Sequence, residues 1–550
     1  MTWSSEASKA KKAAQAKAIP PEWYIPKDKL PPESVKNVTG FYRTCGVLNQ
    51  SEIDIVDLQP DVLLSKLASG SLTALETTIA FCKAAAVAHQ LTNCLTEIFF
   101  DRAIERAKYL DEAFKKNGNK PVGPLHGCPI SLKDQFQIKG IECNMGIAAW
   151  LGEISERDSV LVTILNDAGA VLHCRTNVSQ ALMFQFGETD NYVYGKTCNP
   201  YNRTLTCGGS SGGEGALVAL HGSVFGVGTD LGGSVRIPAC YQGLFGLRPS
   251  LHRFPYAGAR NTLLGLEGIA SALGPLSRSL DGITAFSKSV IDGEPWLLDP
   301  KCPEIPWRQD MLEMKDKKPV FGVTYWDEIA MPHPPMRRAL SMTVDALKKA
   351  GYEVVEVKPF KVAEAVSLVG ELYSSDGGED LSRTFAKSGE PWHPLILTAG
   401  MDKKLSVWES WQLNLKKDDF REAYLNYWNK TRELTSTGKP IDGLLLPPSV
   451  STAHVLDKWH QYLPYTAFFN LVDLPAMVIP VNASVDPELD PVDTSYQPAS
   501  DLDAAIQGCY SPEVYENAPL TVQLVGRRLR EEEVIGMTRH VVNALEASKV

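Results

Sequence analysis

Apolar positions along the chain fall into two periods, one helical and one suited to short buried strands. Leu75, Ile79, Cys82 and Ala86 recur four, three and four apart and so share one helix face; Thr73 and Glu76 before them fit a Thr-x-x-Glu capping box. Ala103, Ala107, Leu110 and Phe114 predict a second helix, followed by a Gly123–Gly127 turn cluster and a short strand, CPISLKDQF, from Cys128. From there the two periods alternate. Ser159 to Ala168 reads as a helix and Val171 to Cys174 as a strand; Met336 to Ala350 reads as a helix stopped by Gly351, and Tyr352 to Val357 as a strand. Leu444 to Leu446, Ala476 to Val481 and Leu520 to Val525 are further short apolar strands, and Glu531 to Leu545 is a closing helix with acidic residues in its first turn. This alternation predicts an α/β fold: a mixed, mostly parallel central sheet covered by helices on both faces.

Three stretches fall outside the pattern. Residues 1–60 are Pro- and Lys-rich and weakly periodic, and read as an arm draped over a single domain spanning 61–550. Within that domain, residues 299–318 read as a connector to a more helical, aromatic-rich segment over about 300–440, expected on the substrate side. Residues 484–518 are acidic and Pro-containing and read as a solvated surface excursion.

Composition narrows the function classes. With 44% hydrophobic and 22% charged residues the 550-residue chain is globular, and its formal net charge of -10 argues against a nucleic-acid binder, which would carry a basic footprint. No run of about eighteen apolar residues predicts a membrane span. The N-terminus lacks the apolar stretch of a secretory signal. The C-terminus, Ala547-Ser548-Lys549-Val550, only partly matches a Ser-Lys-Leu peroxisomal address. The 11 cysteines include no CxxC pair, which suits a reduced cytoplasmic protein with buried thiols and no metal framework.

The chemistry concentrates between Gly208 and Gly246, where glycines interleave with apolar residues, unlike a flexible Gly/Ser linker. A P-loop would need GxxxxGK[ST], which is absent, and the dinucleotide fingerprint is spoiled by one extra residue between Gly228 and Gly232. Gly209 to Gly213 satisfies G-x-S-x-G, a nucleophile elbow with Ser211 as nucleophile, although TLTC before it is a poor strand. Cys207 and Cys240, which flank the segment, suit packing, and His126 and His221, the nearest histidines, suit structural roles.

GGSSGGEGA, followed by GVGTDLGGSVRIPA, resembles the signature of the amidase signature family of serine hydrolases; GPLHGCPISLKDQF, TCNPYN and PLTVQLVGRR extend the resemblance over most of the chain from about Asp61. It is most similar to the fungal acetamidase or general amidase branch, with fatty acid amide hydrolases more distant. The resemblance implies the amidase signature fold and a Ser–cisSer–Lys triad: Ser234 as nucleophile, Ser210 as bridging serine after a cis peptide bond from Gly209, and Lys133 as base. It implies an oxyanion hole from the N–H groups of Leu231, Gly232, Gly233 and Ser234. Asp230 and Arg236 would support that loop, Ser211 would support it without reacting, and Leu182, Met183 and Ser210 would contact substrate.

Such chemistry needs a neutral lysine, although the unperturbed value is about 10.4; burial in the apolar strand of Ile130, Leu132 and Phe136 would lower it. Asp134 should face away, because neighbouring strand side chains point to opposite faces. The expected reaction is hydrolysis of carboxylic amides to acid plus ammonia or amine, on small aliphatic or aryl amides. N-acyl amine hydrolysis, or an ammonia-donating subunit of an amidotransferase, are the alternatives. No cofactor is expected. The expected partner is a small-molecule amide, with no nucleic acid and no membrane anchor; a homodimer is left open.

Overall fold

The strand carrying Lys133, β2 (Pro129–Lys133), lies near one end of an eleven-stranded sheet in a computed structural model describing residues 4–183, 187–315, 317–458 and 462–548. Lys549 and Val550 of the C-terminal address lie outside these residues. The other strands are β1 (Leu95–Ile98), β3 (Val171–Thr176), β4 (Phe225–Asp230), β5 (Phe245–Arg248), β6 (Ala272–Ser277), β7 (Phe321–Val323), β8 (Val354–Glu356), β9 (Gly443–Leu446), β10 (Ala476–Ser484) and β11 (Pro519–Val525). Their spatial order is β1-β3-β2-β4-β6-β5-β10-β11-β9-β7-β8.

The sheet is mixed, as expected, but not mostly parallel. Parallel pairing is confined to β3-β2-β4 and β9-β7-β8, and from β4 through β6, β5, β10 and β11 to β9 every neighbour is antiparallel. A parallel pair needs a long crossover, usually a helix, whereas antiparallel neighbours can be joined by loops. The segment from Pro249 to Ser271 joins β5 to β6 in this way, while Val485 to Ala518, between β10 and β11, includes two short helices.

The capping box at Thr73 and Glu76 is formed and starts the Ala74–Thr92 helix. Burial is wider than one stripe, since Phe81 and Ala84 to Ala88 are buried as well as Cys82. Ala350 caps the Pro334–Lys349 helix, and Gly351 follows at φ +75°, the left-handed turn that glycine adopts without steric cost. The acidic first turn of Glu531–Ala547 is buried and paired: Glu532 meets Arg253 at 2.6 Å and Arg308 at 2.6 Å.

The first sixty residues contain an α-helix, Glu6–Lys17, whose buried residues are polar: Ser8 and Gln15. Gln15 Nε2 donates to Leu95 O at 2.6 Å and Thr96 O at 3.0 Å, tying the helix to edge strand β1. Beyond it Ile19, Trp23, Val38 and Tyr42 enter the main apolar cluster. The acidic stretch after Ser484 is not simply solvated. It carries helices Asp501–Gly508 and Pro512–Tyr515, and Asp490 and Asp503 are fully buried. Asp490 accepts two hydrogen bonds from Arg338 at 2.7 Å each, and Asp503 accepts from Met331 N and Tyr496 Oη. Arg338 and Met331 lie far away in sequence.

A second apolar cluster gathers Leu368, Leu372, Phe420, Tyr424 and Phe468, from the segment after residue 360, with Met183. Leu182 and Leu231 pack against it from the sheet side. The candidate site lies where this cluster meets the ends of β2 and β4.

Candidate active site

Strand β2 delivers Lys133, and β4 beside it delivers Thr229 and Asp230. The chain between Gly208 and the Gly212–Ala219 helix meets both strands, Ser210 at Lys133 and Ser211 at Thr229. Lys133 is fully buried, with Nζ 2.8 Å from Ser210 Oγ and 2.9 Å from Thr229 Oγ1. Thr229 Oγ1 in turn donates to Gln135 Oε1 at 2.8 Å. Desolvation lowers the lysine to about 7, against the opposing pull of the Asp230 and Glu214 charges. Asp134 faces the other way, 3.4 Å from Arg175 on β3, and burial raises its carboxyl to about 6.

The peptide bond between Gly209 and Ser210 is cis. A side chain at Gly209 would place its Cβ 2.5 Å from Glu188 O, so backbone contact alone demands glycine there. Ser210 is buried but lines a cavity of about 350 Å³ together with Ser234. Ser211, the serine of the elbow pattern, is fully buried and bonded to the backbone of Thr229 at 3.4 Å. It is not among the residues lining the cavity.

The loop from Leu231 to Ser234 is held from below and from above. Below, the Asp230 carboxylate accepts from Gly233 N at 2.8 Å, from Val235 N at 3.2 Å, and from Arg236 Nε and Nη2 at 3.0 and 2.9 Å. Asn470 and Gln523 complete this buried network by bonding the same guanidinium. The arginine beside Asp230 holds its carboxyl well below the usual carboxylate range, against burial that would raise it. Above, Tyr373 Oη donates to Leu231 O at 2.7 Å and Thr466 Oγ1 to Gly232 O at 2.6 Å. In a trans peptide the C=O and the next N–H point in opposite directions. The tyrosine therefore fixes where the Gly232 N–H points, and the threonine turns the Gly233 N–H toward Asp230.

That arrangement corrects one expectation. The Gly233 N–H, expected in the oxyanion hole, is taken by the Asp230 carboxylate. Among the described residues the N–H groups of Leu231, Gly232 and Ser234 have no hydrogen-bond acceptor within the protein. Gly233 has φ +136°, and a Cβ there would lie 2.4 Å from Thr466 Oγ1, so neither the backbone nor the space admits another residue.

Leu182 and Met183 line the cavity next to Ser210 and Leu231. Ala181 and Leu182 both have positive φ, +54° and +64°, uncommon for residues with a side chain. Leu266 and Ile269 extend the apolar wall, while His252 and the Glu267–Lys301 ion pair form a polar outer end. A smaller recess of about 50 Å³ shares Leu182, Met183, Leu231 and Ser234 with this cavity and is also lined by Gly209, Gly232 and Leu397.

The remaining flanking residues serve structure. His126 accepts from Val122 N, and His221 bonds Tyr42 and Arg278 under the N-terminal segment; neither lines the cavity. Cys207 and Cys240 are fully buried, the latter thiol pushed up to about 12.

Sequence reasoning missed Thr229, Tyr373, Thr466, Asn470 and Gln523. Thr229 sits inside the quoted GVGTDLGG run and Gln523 inside PLTVQLVGRR; Tyr373, Thr466 and Asn470 have no local pattern around them.

The family model described as Amidase matches residues 76–535. The chain is 42% identical over 538 residues to the acetamidase of Emericella nidulans, covering 96% of each protein. It is 40% identical to the acetamidase of Aspergillus oryzae, covering 96% of this chain and 97% of that one. Among solved structures it is similar to a fatty acid amide hydrolase, with a TM-score of 0.91 and 31% identity over 98% of this chain and 94% of the other.

Proposed function

Because the chain belongs to the amidase family and so hydrolyses amide C–N bonds, we propose that it does this through Ser234, Ser210 and Lys133, on amides resembling those of the acetamidases. The observation that carries the reading is the buried Lys133 Nζ set 2.8 Å from Ser210 Oγ, with Ser210 and Ser234 opening on one cavity.

In the proposed sequence neutral Lys133 takes the Ser210 proton as Ser210 takes that of Ser234. Ser234 Oγ then attacks the amide carbon. The oxyanion is held by the N–H groups of Leu231, Gly232 and Ser234, of which each donor can contribute about 2.7–4 kcal/mol. The proton returns through Ser210 to the leaving nitrogen, ammonia or an amine departs, and water releases the acid from Ser234. Asp230 and Arg236 hold the loop and take no proton.

The two recesses beside Ser234, about 350 and about 50 Å³, bear on substrate class. They support an amide with one small and one larger substituent, which covers both primary amides of aliphatic or aryl acids and N-substituted acetamides. The larger cavity exceeds what acetamide fills, and its apolar wall of Leu182, Met183, Leu266 and Ile269 favours a carbon chain or ring. That wall, with the likeness to a fatty acid amide hydrolase, supports N-acyl amines as the second reading. We place the enzyme in the cytosol, acting on small molecules without a partner protein; among the described residues no helix is long and apolar enough to cross a membrane.

The test is a panel of primary, N-alkyl and N-aryl amides of graded acyl length, given to the purified chain with mass detection of the acid. Ser234→Ala should lose nearly all turnover and all fluorophosphonate labelling. Labelling at Ser211 would overturn the triad, and glutamine hydrolysis only with an added partner would move the chain to the amidotransferase class.

A further inference from the structure

The Gly212–Ala219 helix begins beside the paired serines and carries an acid down into the sheet. Glu214 is fully buried. Its Oε2 accepts from Ser131 Oγ at 2.5 Å, and its Oε1 accepts from Thr176 Oγ1 at 2.8 Å. Ser131 lies two residues before Lys133 on the same face of β2, and Thr176 is the register partner of Lys133 on β3. Ser131 pairs with Gly226 on β4, where a Cβ would come 2.5 Å from Glu214 Oε2. Three adjacent strands thus leave one carboxyl-sized space below the lysine, furnished with two hydroxyl donors.

Resting on the assignment of Lys133 as base, we propose that Glu214 is a positioning residue for it: the clasped carboxyl governs how readily Lys133 Nζ holds a proton, so the acid limb of acylation belongs to the Lys133–Glu214 pair. An ionised carboxylate favours the ammonium; a protonated carboxyl does not. Burial lowers Lys133 and raises Glu214, which brings the two groups into one overlapping range. Protons therefore leave the pair in two macroscopic steps.

The other groups facing the pair are accounted for. Asp230 also acts on Lys133, but it is locked to Arg236. Glu214 acts on the thiols of Cys94 and Cys174, which burial pushes up and keeps neutral. Asp134 is paired with Arg175 on the opposite face.

Glu214→Gln removes the charge and keeps the shape and one acceptor. The acid limb of kcat/KM, read against the variant's own plateau, should move down by about one pH unit. The pH dependence of fluorophosphonate labelling should move with it. Ser131→Ala, which removes one donor from the carboxylate and so favours its protonated form, should shift the limb in the same direction by less, and serves if Glu214→Gln does not fold. A limb that stays at the wild-type pH in a folded Glu214→Gln, or in Ser131→Ala if that is the variant that folds, overturns the inference. If Lys133→Ala is inactive at the same time, the base assignment survives; if Lys133→Ala keeps the wild-type limb, it is the base assignment that fails.

Discussion

Two buried charges sit at the ends of adjacent strands, and the fold treats them in opposite ways. Asp230 closes β4 against Arg236, with bonds at 2.9 and 3.0 Å and further donors from Gly233, Val235 and Asn470. Lys133 closes β2 with equal burial but, among the described residues, with only hydroxyls within hydrogen-bond reach of its side chain besides a carbonyl at 3.5 Å. The first stays ionised, well below the ordinary carboxylate range; the second is lowered to about 7. Burial alone does not determine ionisation. A bidentate partner outweighs desolvation, and without one desolvation prevails. One charge is fixed so that a loop stays in place, and the other is left free to lose its proton.

The largest effect separating the two regions is on stability, and it should have opposite signs. Arg236→Met leaves Asp230 buried without its partner and should cost about 3–5 kcal/mol in urea unfolding at neutral pH, with activity falling too. Lys133→Met should instead stabilise the fold below pH 7, where the wild type carries a buried ammonium. Because the folded lysine is lowered to about 7 while the unfolded one stays near about 10.4, the unfolded chain binds more protons between those values. Wild-type stability from this group therefore rises with pH across that window, and the advantage of Lys133→Met should shrink from pH 7 to about 10.4. Equal destabilisation by both substitutions at pH 6 would end the contrast.

A smaller effect tests the fixed region from above. Thr466→Val removes the hydroxyl that donates to Gly232 O and leaves that carbonyl short of a donor, worth about 1–3 kcal/mol. If the contact orients the loop for an oxyanion, kcat should fall about tenfold with little change in KM. A lower melting temperature with unchanged kcat would leave the threonine a packing role only.

The smallest sharpens the other region. Thr229→Val takes away one of the two hydroxyls that hold Lys133 Nζ. At about 1 kcal/mol for one such bond, kcat/KM on the plateau should drop roughly fivefold; an unchanged plateau would leave Ser210 as the sole orienting contact.

What the sequence reveals of these regions follows from how far each interaction reaches along the chain. Lys133, Ser210, Asp230 and Ser234 lie in runs whose own glycines and spacing carry a pattern. Short apolar strands such as β9 and β11 were legible because both faces are buried. Tyr373, Thr466 and Asn470 reach the Leu231–Arg236 loop from well over a hundred residues away, and nothing local distinguishes them from other core residues; Gln523 lies in the quoted PLTVQLVGRR run, but its partner Arg236 is as distant. The Glu6–Lys17 helix escaped for a different reason. Its buried residues, Ser8 and Gln15, are polar, so apolar periodicity is blind to it, although its Ala- and Lys-rich sequence has high helix propensity. Asp490 and Asp503 belong to the same case in reverse: acids in an acidic stretch look solvated until their distant partners are known. Glu214 lay inside the recognised run, yet only the strands beneath it reveal its surroundings.

The central claim is that Lys133 is the unpaired, neutralised base, and the pH dependence of kcat/KM for a good amide substrate tests it most directly. The account predicts a rate that rises with pH through an apparent pKa near 7, where desolvation places the lysine. It predicts that Lys133→Ala lowers acylation by orders of magnitude and removes that limb. A Lys133→Ala variant that keeps both the wild-type rate and the wild-type limb would contradict it and place the base elsewhere, His252 at the cavity's outer end being the first residue to examine.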